Sequence, residues 1–280
     1  MFKNDKLTFI ELHKTGGTHI INLINQVVGG TQIGKHNRIT SAESDLFKIG
    51  SIRNPWDWYV SLWAYGCSDR GSVKSCVTEG VNISYYNRQL PKEMGKNWLS
   101  LPELSKQVFN DLIKPKQEWV DCYKNYESPK LFRAWLKMIL SQKRKYDVKE
   151  GYGFSSLSQH SGLMTYRMFK LFTDLDLKLY DRSNKDLDQS ALIETWHNHK
   201  ITNKVIRNEF LEDDLISALK EAGYSLSDGS KEIIIDGRNK KINTSKRLAI
   251  GHYYDVETAE LVARYESTII ELFQYSPPEI

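Results

Sequence analysis

The amino-acid sequence predicts an α/β fold of three layers, a short parallel sheet flanked by helices on both faces, and two observations lead to it. An apolar, partly β-branched run at Leu7 to Leu12 breaks into Lys14-Thr15-Gly16-Gly17-Thr18 and resumes as His19 to Val28, with apolar residues at helical spacing. Phe47 to Ile52 then reads as a second short buried strand, and Pro55, suited to a first helical turn, opens a helix through Trp63. Two strand-to-helix units in succession imply a parallel sheet.

The remaining elements follow from local signals. Residues 67–97 are rich in Gly, Ser, Asn and Tyr without a sustained period, which predicts long connections over the sheet edge. Ser100-Leu101-Pro102-Glu103 has the form of a capping box and Ser128-Pro129 of a cap with proline behind it, so helices are expected near 101–113 and 129–143. The Pro115 region ends the first of these. Lys204 to Arg207 reads as a strand, Leu211 to Ala222 as a helix closed by Gly223, and Asp255 as the cap of one long amphipathic helix reaching Phe273 before Pro277-Pro278.

The 280 residues are 40% hydrophobic and 11% aromatic, enough for one sizeable core, and a single domain over 1–280 is expected. The balance of 39 basic and 35 acidic side chains, +4, is too mild to argue for nucleic acid or membrane as the main partner, so any anion site must be local. No stretch approaches the roughly 20 apolar residues that span a bilayer, and no signal-peptide pattern opens the chain, which reads as cytoplasmic. Cys67, Cys76 and Cys122 fit neither a zinc site nor a disulfide framework, and no metal is expected.

The chemistry concentrates in two places. A glycine turn between strand and helix lets successive backbone N–H groups point at an anion, the helix dipole adds to the attraction, and Lys14 supplies full charge. In the ATP-binding form of such a loop the lysine follows the glycines and a Ser or Thr helps hold magnesium; here Lys14 precedes Gly16 and Gly17. The second place is Ser51-Ile52-Arg53-Asn54-Pro55-Trp56-Asp57, with Ser61 eight residues after Arg53. Arginine at a strand end suits a phosphate fork.

On these residues the chain resembles the sulfotransferases that use 3′-phosphoadenosine 5′-phosphosulfate (PAPS), especially the carbohydrate sulfotransferase-like branch, whose fold is similar to that of the P-loop NTPases. The resemblance implies that Lys14, Thr15, Gly16, Gly17, Thr18 and His19 hold the 5′-phosphosulfate, and that Arg53 and Ser61 hold the 3′-phosphate. It extends to Gln117 and Trp119 in a Pro-x-Gln segment, to Glu209-Phe210-Leu211 with Asp213-Asp214, and to Asn243-Thr244-Ser245-Lys246-Arg247 ahead of Tyr253-Tyr254. From that last segment it assigns Ser245 and Arg247 to the nucleotide. It implies a sulfuryl transfer from PAPS to an acceptor hydroxyl, on a glycan or another small-molecule alcohol or phenol, with 3′-phosphoadenosine 5′-phosphate (PAP) as product. Residues 67–190 would supply acceptor-side loops and helices.

The transfer needs positive groups on the leaving phosphate oxygen and a base for the attacking hydroxyl. Histidine is the natural base. His36, in Gly34-Lys35-His36, is expected to return to the open end of the sheet before the Arg53 strand, and His160, in Ser158-Gln159-His160-Ser161-Gly162, is its rival. A carboxylate, Glu11 or Glu79, can also fill the role. Two other classes remain: a nucleotide-phosphate-binding kinase or NTPase, disfavoured by the lysine order and the lack of a magnesium carboxylate after a second strand, and a non-catalytic ligand-binding module on the same fold.

Overall fold

In a computed structural model, which describes residues 1–39, 43–81, 101–181, 183–240 and 246–280, the chain is mixed α/β and divides into two compact units. Met1–Asn54, Arg167–Leu175 and Trp196–Thr244 form the first; Pro55–Tyr166, Asp176–Thr195 and Ser245–Ile280 form the second. Among the described residues no helix is long and apolar enough to cross a membrane.

The first unit holds the sheet. Strands β1 (Phe2–Lys3), β2 (Leu7–Ile10), β3 (Thr31–Gln32), β4 (Phe47–Ile52) and β5 (Lys204–Arg207) lie in the order β3-β1-β2-β4-β5. β2, β4 and β5 run parallel, whereas β1 pairs antiparallel with both β2 and β3. The sheet is therefore mixed, not wholly parallel as the two strand-to-helix units implied. The reason lies in Asn4, whose Oδ1 accepts from the backbone N–H of Lys6 (3.1 Å) and Leu7 (3.0 Å). A turn that tight can only return the chain antiparallel, because a parallel return needs a long crossover.

All four residues of β2 are buried, as befits a central strand covered on both faces. On one face Leu7, Phe9, Ile49 and Ile206 meet Ile20, Leu23 and Ile24 of α1 (Gly17–Val28), Leu211, Leu215 and Leu219 of a later helix at Leu211–Glu221, and Ile234 of another at Asp228–Asp236. On the other face Gly50 leaves room for the Phe172 ring: a Cβ there would stand 2.8 Å from its Cζ. The expected helix closed by Gly223 ends at Glu221, with Gly223 at φ +84°.

The second unit is helical. It opens with α2 (Pro55–Cys67) and α3 (Ser72–Thr78), the latter in a stretch read as loop, where Val73 and Val77 supply a buried i, i+4 pair. Then come α4 (Leu101–Ile113), α5 (Lys116–Cys122) and α6 (Pro129–Ile139), which is shorter than expected because turns replace it after Leu140. Helix α7 (Leu163–Phe172) passes its last turns to the first unit, and α8 (Leu192–His199) does the same. In the first unit α9 (Leu211–Glu221) and α10 (Asp228–Asp236) follow. Back in the second, the single helix expected over 256–273 is two, α11 (Val256–Tyr265) and α12 (Ser267–Phe273). They break at Glu266, whose fully buried carboxylate accepts from the Tyr59 hydroxyl, from the N–H groups of Met164 (3.1 Å) and Thr165 (2.9 Å), and from Thr165 Oγ1 (2.6 Å). The Asp255 cap is a full capping box with Thr258.

Candidate functional site

The carboxyl ends of parallel strands are where an open α/β sheet presents loops to a ligand. In the first unit the ends of β4 and β5 send side chains to the segment 13–17, the loop that follows β2. Thr15, fully buried after β2, donates from Oγ1 to the Leu12 carbonyl (2.9 Å) and shares a hydrogen bond of 2.7 Å with Ser51 Oγ at the end of β4. Two residues on, Arg53 donates from Nη1 to the Lys14 carbonyl (3.3 Å). Asn208, just past β5, donates from Nδ2 to the Thr15 carbonyl (3.3 Å).

The loop backbone is correspondingly tight. Lys14 is left-handed at φ +63° and Gly16 at +83°, and a Cβ on Gly16 would stand 2.6 Å from Asn208 Nδ2. Glycine suits that position twice, by conformation and by space. Gly17 begins α1, where a Cβ would stand 2.6 Å from Glu11 Oε1. Gly16 carries no side chain to cap α1 and the first turn holds no acidic residue, so the positive dipole end of the helix suits an anion. Thr18 is exposed there and His19 is buried. A cavity of about 290 Å³ lies between α1 and α10, lined by His19, Asn22, Gln26, Glu232, Asp236 and Gly237 among others.

Glu11 and two histidines stand beside this loop. Glu11 is 6% exposed, and its Oε2 has no hydrogen-bond partner among the described residues. Its carbonyl oxygen lies 2.8 Å from His36 Nδ1. The His36 ring in turn stacks on His13, with centroids 3.4 Å apart and planes 13° from parallel. Burial pushes His13 well below the ordinary histidine range, and the charges of Arg167, His36 and Lys170 push the same way. The structure thus brings Lys14, Thr15, Gly16, Gly17, Thr18, His19, Arg53 and His36 into one unit, around the start of α1.

Other predicted residues fall in the second unit. Ser61 is buried in α2, two turns beyond its start. Arg247 pairs with Asp57 in the first turn of the same helix. Ser245 lies outside the described residues. His160 follows a short 3₁₀ turn, hydrogen-bonded to the Leu187 backbone, and burial lowers its pKa. Glu79 is exposed at the end of α3. Of the further segments, Glu209 accepts the Asn54 N–H at Oε1 (2.7 Å) and Asp214 takes a two-pronged contact from Arg207, Nε at 2.9 Å and Nη2 at 3.0 Å, both in the first unit. Trp119 is buried in α5 with its indole N–H on Asp147 (2.8 Å).

Sequence reasoning missed the loop contacts of Ser51 and Asn208 and the stacking of His13 on His36. The available signal was positional: each ends, or directly follows, a strand of the parallel set or its loop, and asking which polar residue closes each parallel strand finds them. No family model, no curated protein and no solved structure matches the chain.

Proposed function

We propose that the chain is a PAPS-dependent sulfotransferase of P-loop-like fold, acting in the cytoplasm on the hydroxyl of a glycan or of another small-molecule alcohol or phenol. The observation that carries this reading is the lysine-first glycine loop at the start of α1, tied down from the ends of β4 and β5 by Ser51, Arg53 and Asn208. A loop held at so many points presents its donors without rearranging, which is what stabilises charge that develops only during reaction.

In this reading the N–H groups at the start of α1 and Lys14 receive the 5′-phosphosulfate and Arg53 the 3′-phosphate, and the resemblance assigns Ser61, Ser245 and Arg247 to the nucleotide as well. The acceptor oxygen forms a bond to sulfur as the bond from sulfur to the 5′-phosphate oxygen breaks. PAP leaves with that electron pair, and Lys14 stabilises it. The hydroxyl proton passes to His36. Because the Glu11 carbonyl can only accept, His36 donates from Nδ1 and its lone pair is on Nε2.

Glu11 is a second reading of the base, favoured by its buried Oε2 without a partner. Incubation with radiosulfate-labelled PAPS and a panel of glycans, phenols and alcohols tests the reaction. Label is expected in an organic product with the wild type and with Glu11→Gln, and is lost with His36→Ala and Lys14→Ala; retention by His36→Ala with loss in Glu11→Gln moves the base to Glu11, and loss only in His160→Ala moves it to the second unit. A chain that hydrolyses ATP with magnesium and leaves PAPS untouched belongs to the kinase or NTPase class instead, and one that binds PAP with no turnover on any acceptor is a binding module.

A further inference from the structure

We propose that His13 is a positioning residue for His36: its ring stacks on the His36 imidazole and holds it in the single tautomer, Nδ1–H donated to the Glu11 carbonyl, that leaves the lone pair on Nε2. The inference rests on the sulfotransferase reading for the use made of that nitrogen, and on geometry alone for the rest.

The two rings come from different segments, His13 from the loop after β2 and His36 from the segment ahead of β4, yet their centroids are 3.4 Å apart and their planes nearly parallel. Contact over a full ring face fixes the tilt of His36, while one hydrogen bond to Glu11 fixes its rotation. Together these remove the two soft torsions of the side chain. The backbone carries the same message. His36 sits at φ +54°, a left-handed conformation that costs a non-glycine residue about 1–2 kcal/mol and persists only where surrounding contacts over-determine it.

A stacked pair of imidazoles also raises a charge problem, since two imidazolium rings at that distance repel strongly. The titratable and charged groups around the pair act unequally on the two rings. Glu11 stands on the His36 side through its carbonyl; Arg167 and Lys170 of α7 act on His13; Lys14 and Lys35 are the sequence neighbours of the two histidines. Burial, and after it the α7 cations, push the His13 imidazole well below the ordinary histidine range and so favour its neutral form. His36 can then accept a proton against a neutral aromatic face instead of against a second cation, and it starts from the tautomer that needs no ring flip.

The test uses the full chain with nitrogen-labelled histidine rings, read by NMR, beside steady-state kinetics. Near neutral pH the wild type is expected to show His36 as the Nδ1–H tautomer and His13 neutral throughout. His13→Ala and His13→Gln are expected to mix the His36 tautomers and shift its titration, lowering kcat about ten- to a hundredfold, a part of the roughly 10²–10⁴-fold a general base supplies, while PAP affinity stays within about twofold. His13→Phe keeps a flat ring without nitrogens and is expected to preserve the tautomer and most of kcat, which also covers the case in which the alanine variant does not fold. An unchanged His36 tautomer and titration in both His13→Ala and His13→Gln overturns the proposal, as does its loss in a folded His13→Phe. If the NMR result is as expected but no acceptor is sulfated, the positioning stands and the reaction assigned to the site falls.

Discussion

The two units use polar side chains for different ends. In the first, the core is aliphatic, and Ser51, Arg53 and Asn208 reach into the loop at 14–15, two of them onto its carbonyl oxygens. In the second, the core is aromatic, with Trp63, Phe132, Trp135, Tyr253 and Tyr254 in edge and tilted contacts, and some of its buried polar groups close on one another. Asp111, fully buried, lies between Lys114 (3.1 Å) and Lys149 (2.8 Å), and Asp147 receives Trp119 (2.8 Å) and Asn110 (2.8 Å). A polar group that shapes a loop shows its loss in ligand binding; one that completes a closed network shows it in stability. The comparison is therefore testable residue by residue.

The largest effect is expected in the second unit. Glu266→Ala strands four donors around a buried site and should cost about 3–5 kcal/mol in urea unfolding, comparable with breaking a buried charged network. Glu266→Gln sharpens the point through pH. Burial pushes the Glu266 carboxyl from 4.5 up to about 7, against the hydrogen bonds of Thr165, Tyr59 and Met164. A raised native pKa means that the folded chain holds the proton longer than the unfolded one. Its contribution is thus full below 4.5 and is lost as pH rises through about 7, and the glutamine variant should flatten unfolding free energy across that window.

In the first unit the expected pattern is the reverse. Lys14→Ala should leave the unfolding midpoint near that of the wild type and reduce turnover about 10²–10³-fold, the cost of one electrostatic donor to the leaving oxygen. Asn208→Ala comes next, with PAP affinity lower by about five- to tenfold and stability little changed, the worth of one hydrogen bond that shapes the loop. A large loss of stability in either variant breaks the contrast between the units. Smallest is Tyr123→Phe in the second unit, where Trp135 Nε1 loses its 2.6 Å partner; about 1–2 kcal/mol of stability should go, with PAP affinity unchanged by calorimetry.

The parts of the molecule that were legible in the sequence are those with a local cause. The glycine loop, the Pro55 and Pro129 helix starts, the Asp255 cap and the β5 strand each follow from a residue whose backbone or side-chain preference acts within a turn. The antiparallel edge was not legible, because two-residue strands carry no period. Nor was the break at Glu266. In sequence, Val256 to Phe273 keeps a helical stripe, and only the distant donors at Tyr59, Met164 and Thr165 give the buried carboxylate a reason to interrupt it. Around the glycine loop, Lys14, Arg53 and His36 were singled out in the sequence from loop chemistry, whereas the contacts of Ser51 and Asn208 and the stacking of His13 depend on which strands become neighbours.

The central claim is that the loop at the start of α1 binds a nucleotide bearing a 3′-phosphate. Calorimetric titration of the full chain with PAP, with AMP and with ATP plus magnesium measures this without knowledge of the acceptor. Binding of PAP well above AMP and ATP, with the preference lost in Arg53→Ala, is the predicted result. Equal affinity for PAP and AMP, or binding of ATP with magnesium in preference to both, contradicts it.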